Sequence, residues 1–276
     1  MKITVLIENT GPQDLYAEHG LSLLIEQAGK RYLLDGGQSG DFLKNAQSLQ
    51  EDLGRIDHTV LSHGHYDHGN GFLAYLKRYP DRKIWASHTI FEDYYSGSKG
   101  QIHYIGLSPE LKVLQKRFQL IDKDTRIDAQ GVLILDEVDK DLESLRMKKM
   151  YRKCHDQFTP DTFSHELSLV FDTPNGLVIF NSCSHAGLRN IVEPIRRKMN
   201  RPVYAYIGGL HMKSLQKDEQ DTSFSQEQIQ IQAQYIQEHI RSVYTGHCTG
   251  EISYQLLKEI LKEQIQPLTT GQRIKL

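Results

Sequence analysis

Apolar positions in the first forty residues fall in short runs, ITVLI, LSLLIE and KRYLLDGG, separated by turn residues. Runs of that length and composition predict a meander of strands. The period then changes. FLKNAQSLQEDL spaces its apolar residues as one helical face, with Asp41 placed to cap it. RIDHTVLS reads as a buried strand, GNGFLAYLKRY as a second helix and KIWAS as another strand. The order strand, polar cluster, helix recurs twice: GLVIFNSCSHAG leads into LRNIVEPIRRKM, and SVYTGHCTG leads into EISYQLLKEILKEQ. QEQIQIQAQYIQEH is Gln-rich, but Ile229, Ile231, Ala233 and Ile236 give it the spacing of an amphipathic helix. Phe91 to Phe163 is the least regular stretch, mixing aromatics, Lys and Arg. It predicts an elaboration covering a site, on a single α/β domain that spans residues 1–276.

Polar residues at strand ends are held rigidly yet open into a crevice. The densest such cluster is LSHGHYDHGNG, with His63, His65, Asp67 and His68 inside six positions. Imidazole and carboxylate ligate zinc and other first-row divalent metals. A tight turn lets His63 and His65 face one point while Asp67 and His68 face a second. One loop thereby begins two metal sites. Two metals need more ligands than four, and His185 in NSCSHAG and His247 in TGHCTG stand at other strand ends. The simplest allocation gives His63, His65 and His185 to one metal, and Asp67, His68 and His247 to the other, with water or hydroxide between them.

Composition narrows the partners. Over 276 residues the formal net charge is −2, which gives no general attraction for a polyanion, so nucleic acid is not expected. The N-terminal apolar run meets Glu8, Asn9 and Asp14 at once, and about 18 uninterrupted apolar residues occur nowhere. A cytoplasmic protein without a membrane partner is the expectation. Cys154, Cys183 and Cys248 are too few and too widely spaced for a disulfide framework or a zinc ribbon.

The HxHxDH segment, preceded by Asp35 in LLDGGQSG, resembles the metallo-β-lactamase superfamily, and the later His-bearing strand ends extend the resemblance over nearly the whole chain. EHGLS, DGGQSG, SHGHYDHGNG, CSHAG, GGLH and HCTG are similar to the dihydropterin ribofuranosylaminobenzene-phosphate synthase-like group of metal-dependent hydrolases. The resemblance implies a four-layer αβ/βα sandwich and two divalent metal ions, zinc first, with iron or manganese as alternatives. It implies hydrolysis, or phosphoryl or phosphoribosyl transfer, by a metal-bound hydroxide whose pKa falls from 15.7 toward about 7. The substrate would be a small molecule, phosphorylated or pterin-related.

In that scheme Asp67 ligates and accepts a proton, and His211 stabilises a developing oxyanion. Asp35 orients a ligand histidine rather than binding metal, and His19, like His211, is a candidate to reach the substrate. Many members carry a metal-bridging aspartate at the end of the strand that here reads GLVIFNSC, whereas this chain offers Cys183. A buried structural cysteine is the commoner case, but a thiolate ligand is the alternative. His165 stands where relatives often carry a ligand. Tyr94, Tyr95, Lys99, Tyr104 and Arg152 are candidates to touch an aromatic or phosphorylated substrate. Competing readings are a lactone or thioester hydrolase, a di-iron redox protein, for whose electron-carrying domain the chain has no room, and a non-catalytic metal-containing sensor.

Overall fold

The computed structural model describes residues 1–97, 101–136, 149–213 and 222–276, which leaves Lys99 outside the described residues. Strands β1 (Lys2–Ile7), β2 (Ser22–Gln27) and β3 (Lys30–Leu34) form the antiparallel meander that the apolar runs predict. β4 (His58–Val60) and β5 (Ile84–Ser87) then add in parallel. Segment 91–163 follows, with β6 (Asp93–Ser96), β7 (His103–Tyr104), β8 (Phe118–Ile121), β9 (Thr125–Arg126), β10 (Gly131–Leu135), β11 (Met150–Cys154) and β12 (Gln157–Pro160). The C-terminal half supplies β13 (Leu167–Thr173), β14 (Gly176–Phe180), β15 (Val203–Ile207), β16 (Ile240–Thr245), β17 (Ile265–Pro267) and β18 (Arg273–Lys275).

These strands make two seven-stranded sheets, ordered β18-β1-β2-β3-β4-β5-β8 and β17-β16-β15-β14-β13-β10-β9. A smaller sheet, β12-β11-β6-β7, comes wholly from segment 91–163, which therefore contributes strands to all three. Helices α1 (Asp41–Ser48), α2 (Tyr66–Gly69), α3 (Phe72–Arg78) and α4 (Pro109–Val113) belong with the first half; α5 (Leu188–Met199), α6 (Gln226–His239) and α7 (Glu251–Leu261) follow β14, β15 and β16.

Three apolar clusters define four layers. One joins Phe42, Phe72 and Tyr75 of α1 and α3 to Leu6, Leu24 and Leu33 of the first sheet. A second fills the space between the large sheets with Val5, Leu23, Ile25, Leu169, Phe171 and Phe180. The third joins α5, α6 and α7 to the second sheet through Ile191, Ile195, Ile236, Leu257, Ile179 and Val243. The fold is a four-layer αβ/βα sandwich. Because each large sheet is covered on both faces, its strands read as continuous apolar runs instead of alternating ones. All five residues of β14 are buried.

Two local expectations change. α1 stops at Ser48, because Gln50 adopts a left-handed φ of 60° and Leu53–Arg55 forms a separate 3₁₀ turn capped by Asp52. Gly40 occupies the cap position, and Asp41 is the first helical residue. α6 starts with a full capping box, the Ser225 hydroxyl accepting from Gln228 N and the Gln228 side chain accepting from Ser225 N. Its Ile231, however, faces outward and is 41% exposed, while Ile229, Ala233 and Ile236 are buried. No helix among the described residues is long and apolar enough to cross a membrane.

Candidate metal centre

β3, β4, β14, β15 and β16 all end on one edge of the sandwich, and the residues just past each end carry the polar clusters. Four of these residues hold a left-handed backbone that side chains normally avoid: Asp35 (φ 61°), Ser184 (φ 59°), His211 (φ 46°) and His247 (φ 49°). Non-glycine residues persist there only when their surroundings over-determine them, and they concentrate at functional sites.

Asp35 is fully buried and organises the HxHxDH loop. Its Oδ1 accepts Ser62 N at 2.7 Å, and its Oδ2 accepts the Ser62 hydroxyl at 2.7 Å and His68 Nδ1 at 2.8 Å. Since the Ser62 hydroxyl gives its proton to Asp35, it receives the Nδ1–H of His63 at 2.8 Å. One carboxylate thus sets two imidazole tautomers, leaving Nε2 of His63 and of His68 as lone pairs. His247 is fixed in the same sense, its Nδ1 donating to Asn9 Oδ1 at 2.9 Å while its backbone N–H donates to Glu8 Oε1 at 2.5 Å.

The freed nitrogens converge. His63 Nε2 lies 3.3 Å from His185 Nε2, and His68 Nε2 lies 3.1 Å from His247 Nε2. The His65 ring stands 4.6 Å from that of His185, and its Nε2 is buried without a protein hydrogen-bond partner, as is His185 Nδ1. Asp67 Oδ2 lies 3.3 Å from both His247 Nε2 and His19 Nε2. The structure therefore brings together His63, His65, Asp67, His68, His185 and His247, with His19 at the solvent side. Cys183 Sγ sits 3.2 Å from His68 Nε2 and groups within 4.8 Å with His63 and His185, and again with His68 and His247. Its sulfur lies between the two halves.

Electrostatics fit a cation. Burial, reinforced by neighbouring imidazoles, pushes His63, His65 and His185 well below the usual histidine range, so all three present neutral nitrogens, the form that ligates. Burial alone would raise Asp67, but His68, His247 and His19 hold it well below the usual carboxylate range. Burial would lower His247, yet its hydrogen bond to Asp67 and the adjoining Cys248 and Glu8 raise it to about 9. Lone pairs facing each other at 3.1 to 3.3 Å repel unless a proton or a metal ion lies between them. Together with the orphaned nitrogens, they make this donor set a fit for divalent metal ions.

His165 is turned to another task. Its Nδ1 accepts the backbone N–H of Gly64 at 3.0 Å and its Nε2 donates to Asp161 Oδ2 at 3.0 Å, so both nitrogens are spent away from the cluster. It braces the residue between His63 and His65. A Cβ on Gly64 would approach Tyr94 Cε2 to 2.7 Å and Ile90 O to 2.9 Å, so the loop packs where only glycine fits. Tyr94 belongs to this packing: it is buried, its hydroxyl donates to Thr89 O, and its ring lies 3.9 Å from that of His165. Tyr95 and Tyr104 pack edge to face in the small sheet, and Arg152 pairs with Glu92 at 3.5 Å.

Sequence reasoning missed Glu166. Its carboxyl accepts His185 N at 2.9 Å and Ala186 N at 2.8 Å, strapping the turn that carries Cys183 and His185; burial and the nearby Asp136 push its pKa well above the usual range. Glu166→Ala would strand two buried N–H groups at about 1–3 kcal/mol each, so the metal-free protein is expected to lose about 2–6 kcal/mol. Chemical denaturation of wild type and variant checks this, and equal midpoints would remove the strap. Glu8, Asn9 and Ser62 were missed as well. Glu8 and Ser62 directly follow apolar runs and Asn9 stands one residue further, the same signal that marked the histidines.

A model of the metallo-β-lactamase superfamily matches residues 15–147. An uncharacterized protein of Methanocaldococcus jannaschii is 30% identical over 217 residues, covering 76% of this chain and 79% of the relative. The chain belongs to the metallo-β-lactamase superfamily. The 7,8-dihydropterin-6-methyl-4-(beta-D-ribofuranosyl)-aminobenzene-5'-phosphate synthase of the same organism is 27% identical over 278 residues, covering 94% of this chain and 90% of that enzyme. The crystal structure of Tm1679, a metal-dependent hydrolase of the β-lactamase superfamily, superposes with a TM-score of 0.83 at 26% identity, covering 100% of this chain and 99% of that one.

Proposed function

We propose that this protein is a metal-dependent enzyme that holds two divalent cations, zinc by preference, and cleaves or transfers a phosphoryl or phosphoribosyl group on a small phosphorylated or pterin-related molecule. The observation that carries the reading is the convergence of six donors, three of them imidazoles, His63, His68 and His247, whose tautomers are fixed from behind. His63, His65 and His185 would hold one ion, and Asp67, His68 and His247 the other. Five imidazoles outnumber the single carboxylate, a set that suits zinc better than manganese. When bound, the ions would polarise the substrate oxygen and lower the pKa of water toward about 7.

The remaining steps fall to the chain's own residues. Asp67 stays ionised, so it accepts a hydrogen bond from the attacking water and aligns it; its low proton affinity makes it a poor place to keep the proton. His211, its ring 4.2 Å from that of His185 and its Nδ1 buried without a partner, is free to meet a developing oxyanion. The similarity to the dihydropterin-linked phosphate synthase favours a phosphorylated substrate over a lactone or thioester.

Parallel panels of phosphodiesters, sugar phosphates and lactones, assayed with and without added zinc, test the assignment. Metal-dependent turnover of phosphorylated compounds is expected, with Asp67→Asn lowering kcat/KM by roughly 10²- to 10⁴-fold. Turnover of lactones alone would shift the reading to an acyl hydrolase. Ligand binding without turnover in either form would make the protein a sensor.

A further inference from the structure

Cys248 takes no part in the six-donor set, yet it is buried at the same edge. Its Sγ, the Sγ of Cys183 and a ring nitrogen of His211 lie within 4.8 Å of one another, and each of the three residues is at least nine-tenths buried. The approach is built into the backbone. A Cβ on Gly209 would come within 2.3 Å of Cys248 Sγ, so a glycine there leaves the sulfur its space. The three carrier loops are stitched together: Gly209 N donates to Ser182 O at 2.8 Å, Leu210 N to Thr249 Oγ1 at 3.0 Å and Met212 N to Cys248 O at 3.1 Å. Donors held this way lose little freedom on binding. His211 Nδ1 is buried without a hydrogen-bond partner.

We propose that Cys183, His211 and Cys248 form a further, thiolate-rich metal position beside the pair. Two thiolates and one imidazole make a soft donor set that zinc uses in three-ligand sites with an open fourth position, and that cadmium and cuprous ions favour still more. Cys183 is shared with the pair. A thiolate sulfur can bridge ions, and an imidazole that ligates through one nitrogen can still hydrogen-bond through the other, so His211 keeps its access to substrate. Binding expels the two thiol protons to solvent. The proposal shares Cys183 with the two-metal reading but does not depend on it.

Cadmium added to the reduced, metal-depleted full chain is the probe, followed by equilibrium dialysis, by ultraviolet sulfur-to-cadmium absorption and by ¹¹³Cd NMR. Wild type is expected to show a cadmium resonance in the range of two sulfur ligands. Cys248→Ser and His211→Gln should each bind about one equivalent less, as three-donor sites do when one donor is removed. Cys248→Ser should also lose part of the sulfur absorption, and Cys183→Ser all of it. Equal stoichiometry and absorption in wild type and Cys248→Ser, or no two-sulfur resonance in wild type, would overturn the site. Asp67→Asn and His63→Ala separate the two readings. If the histidine-held pair does not exist, they leave the cadmium count unchanged while Cys248→Ser still lowers it.

Discussion

Asp35→Ala is expected to weaken metal binding by roughly 10- to 100-fold although Asp35 contacts no metal in the proposed site. The carboxylate receives Ser62 N, the Ser62 hydroxyl and His68 Nδ1, all buried. Removing it strands three donors at about 1–3 kcal/mol each, so the metal-free fold should lose about 3–9 kcal/mol, toward the lower end if water fills the space. Asp35→Asn separates stability from chemistry. The amide keeps volume and one acceptor, so the loss of stability should be smaller. Its NH₂, however, opposes a ring N–H, which drives His68, or His63 through Ser62, toward the tautomer that points a proton into the centre. Metal affinity should therefore fall in Asp35→Asn nearly as far as in Asp35→Ala while its denaturation midpoint stays closer to wild type. Calorimetric titration with zinc and denaturation of the metal-free forms measure both quantities. An Asp35→Asn protein that binds zinc as wild type does would remove the tautomer argument.

In the metal-free protein the buried histidines His63, His65 and His185 should cost stability as the pH falls below 6.5, and His247 should cost stability as the pH rises toward 9. His63, His65 and His185 have folded-state pKa values well below 6.5, so the unfolded chain binds more protons than the folded one once the pH falls below that value. Each group then contributes a slope of up to about 1.36 kcal/mol per pH unit, opposed by Glu166 and Asp136, whose raised pKa values let the folded chain hold protons that the unfolded chain releases. His247 works in the opposite sense. Its folded pKa is raised to about 9, so its contribution is complete below 6.5 and is lost as the pH rises through 9. Saturating zinc should reverse the alkaline limb, because the metal takes the deprotonated ligands and its affinity grows with pH. Urea denaturation from pH 5 to 9.5, with and without zinc, gives the profile. Ring-proton resonances of these three histidines that titrate near pH 6.5 would show that the imidazoles are not held neutral.

Both effects follow from burial, and burial was only partly legible. The strands of the meander, the helices α5 and α6 and the HxHxDH loop could be read because apolar runs and local spacing carry their signal within about a dozen residues. α1 was read too long because the left-handed turn at Gln50 leaves no mark in the apolar pattern. Ile231 was read as inward, but two residues from both Ile229 and Ala233 it lies about 200° around the helix from each, away from the buried face. His165 illustrates the limit at the site. Its place ahead of β13 resembles a ligand's, but its orientation depends on Asp161 and on Gly64, a hundred residues away.

The sequence by itself determined the ligand types, their place at strand ends and the layered α/β architecture, because each depends on chemistry or periodicity within one short segment. Only the tertiary structure decided which nitrogens face inward, that one buried Asp35 sets two tautomers, that Glu166 straps the Cys183–His185 turn and that Cys248 meets Cys183. Those are contacts between residues tens to hundreds of positions apart. They exist because two sheets bring their strand ends to one edge, and no local pattern encodes that meeting.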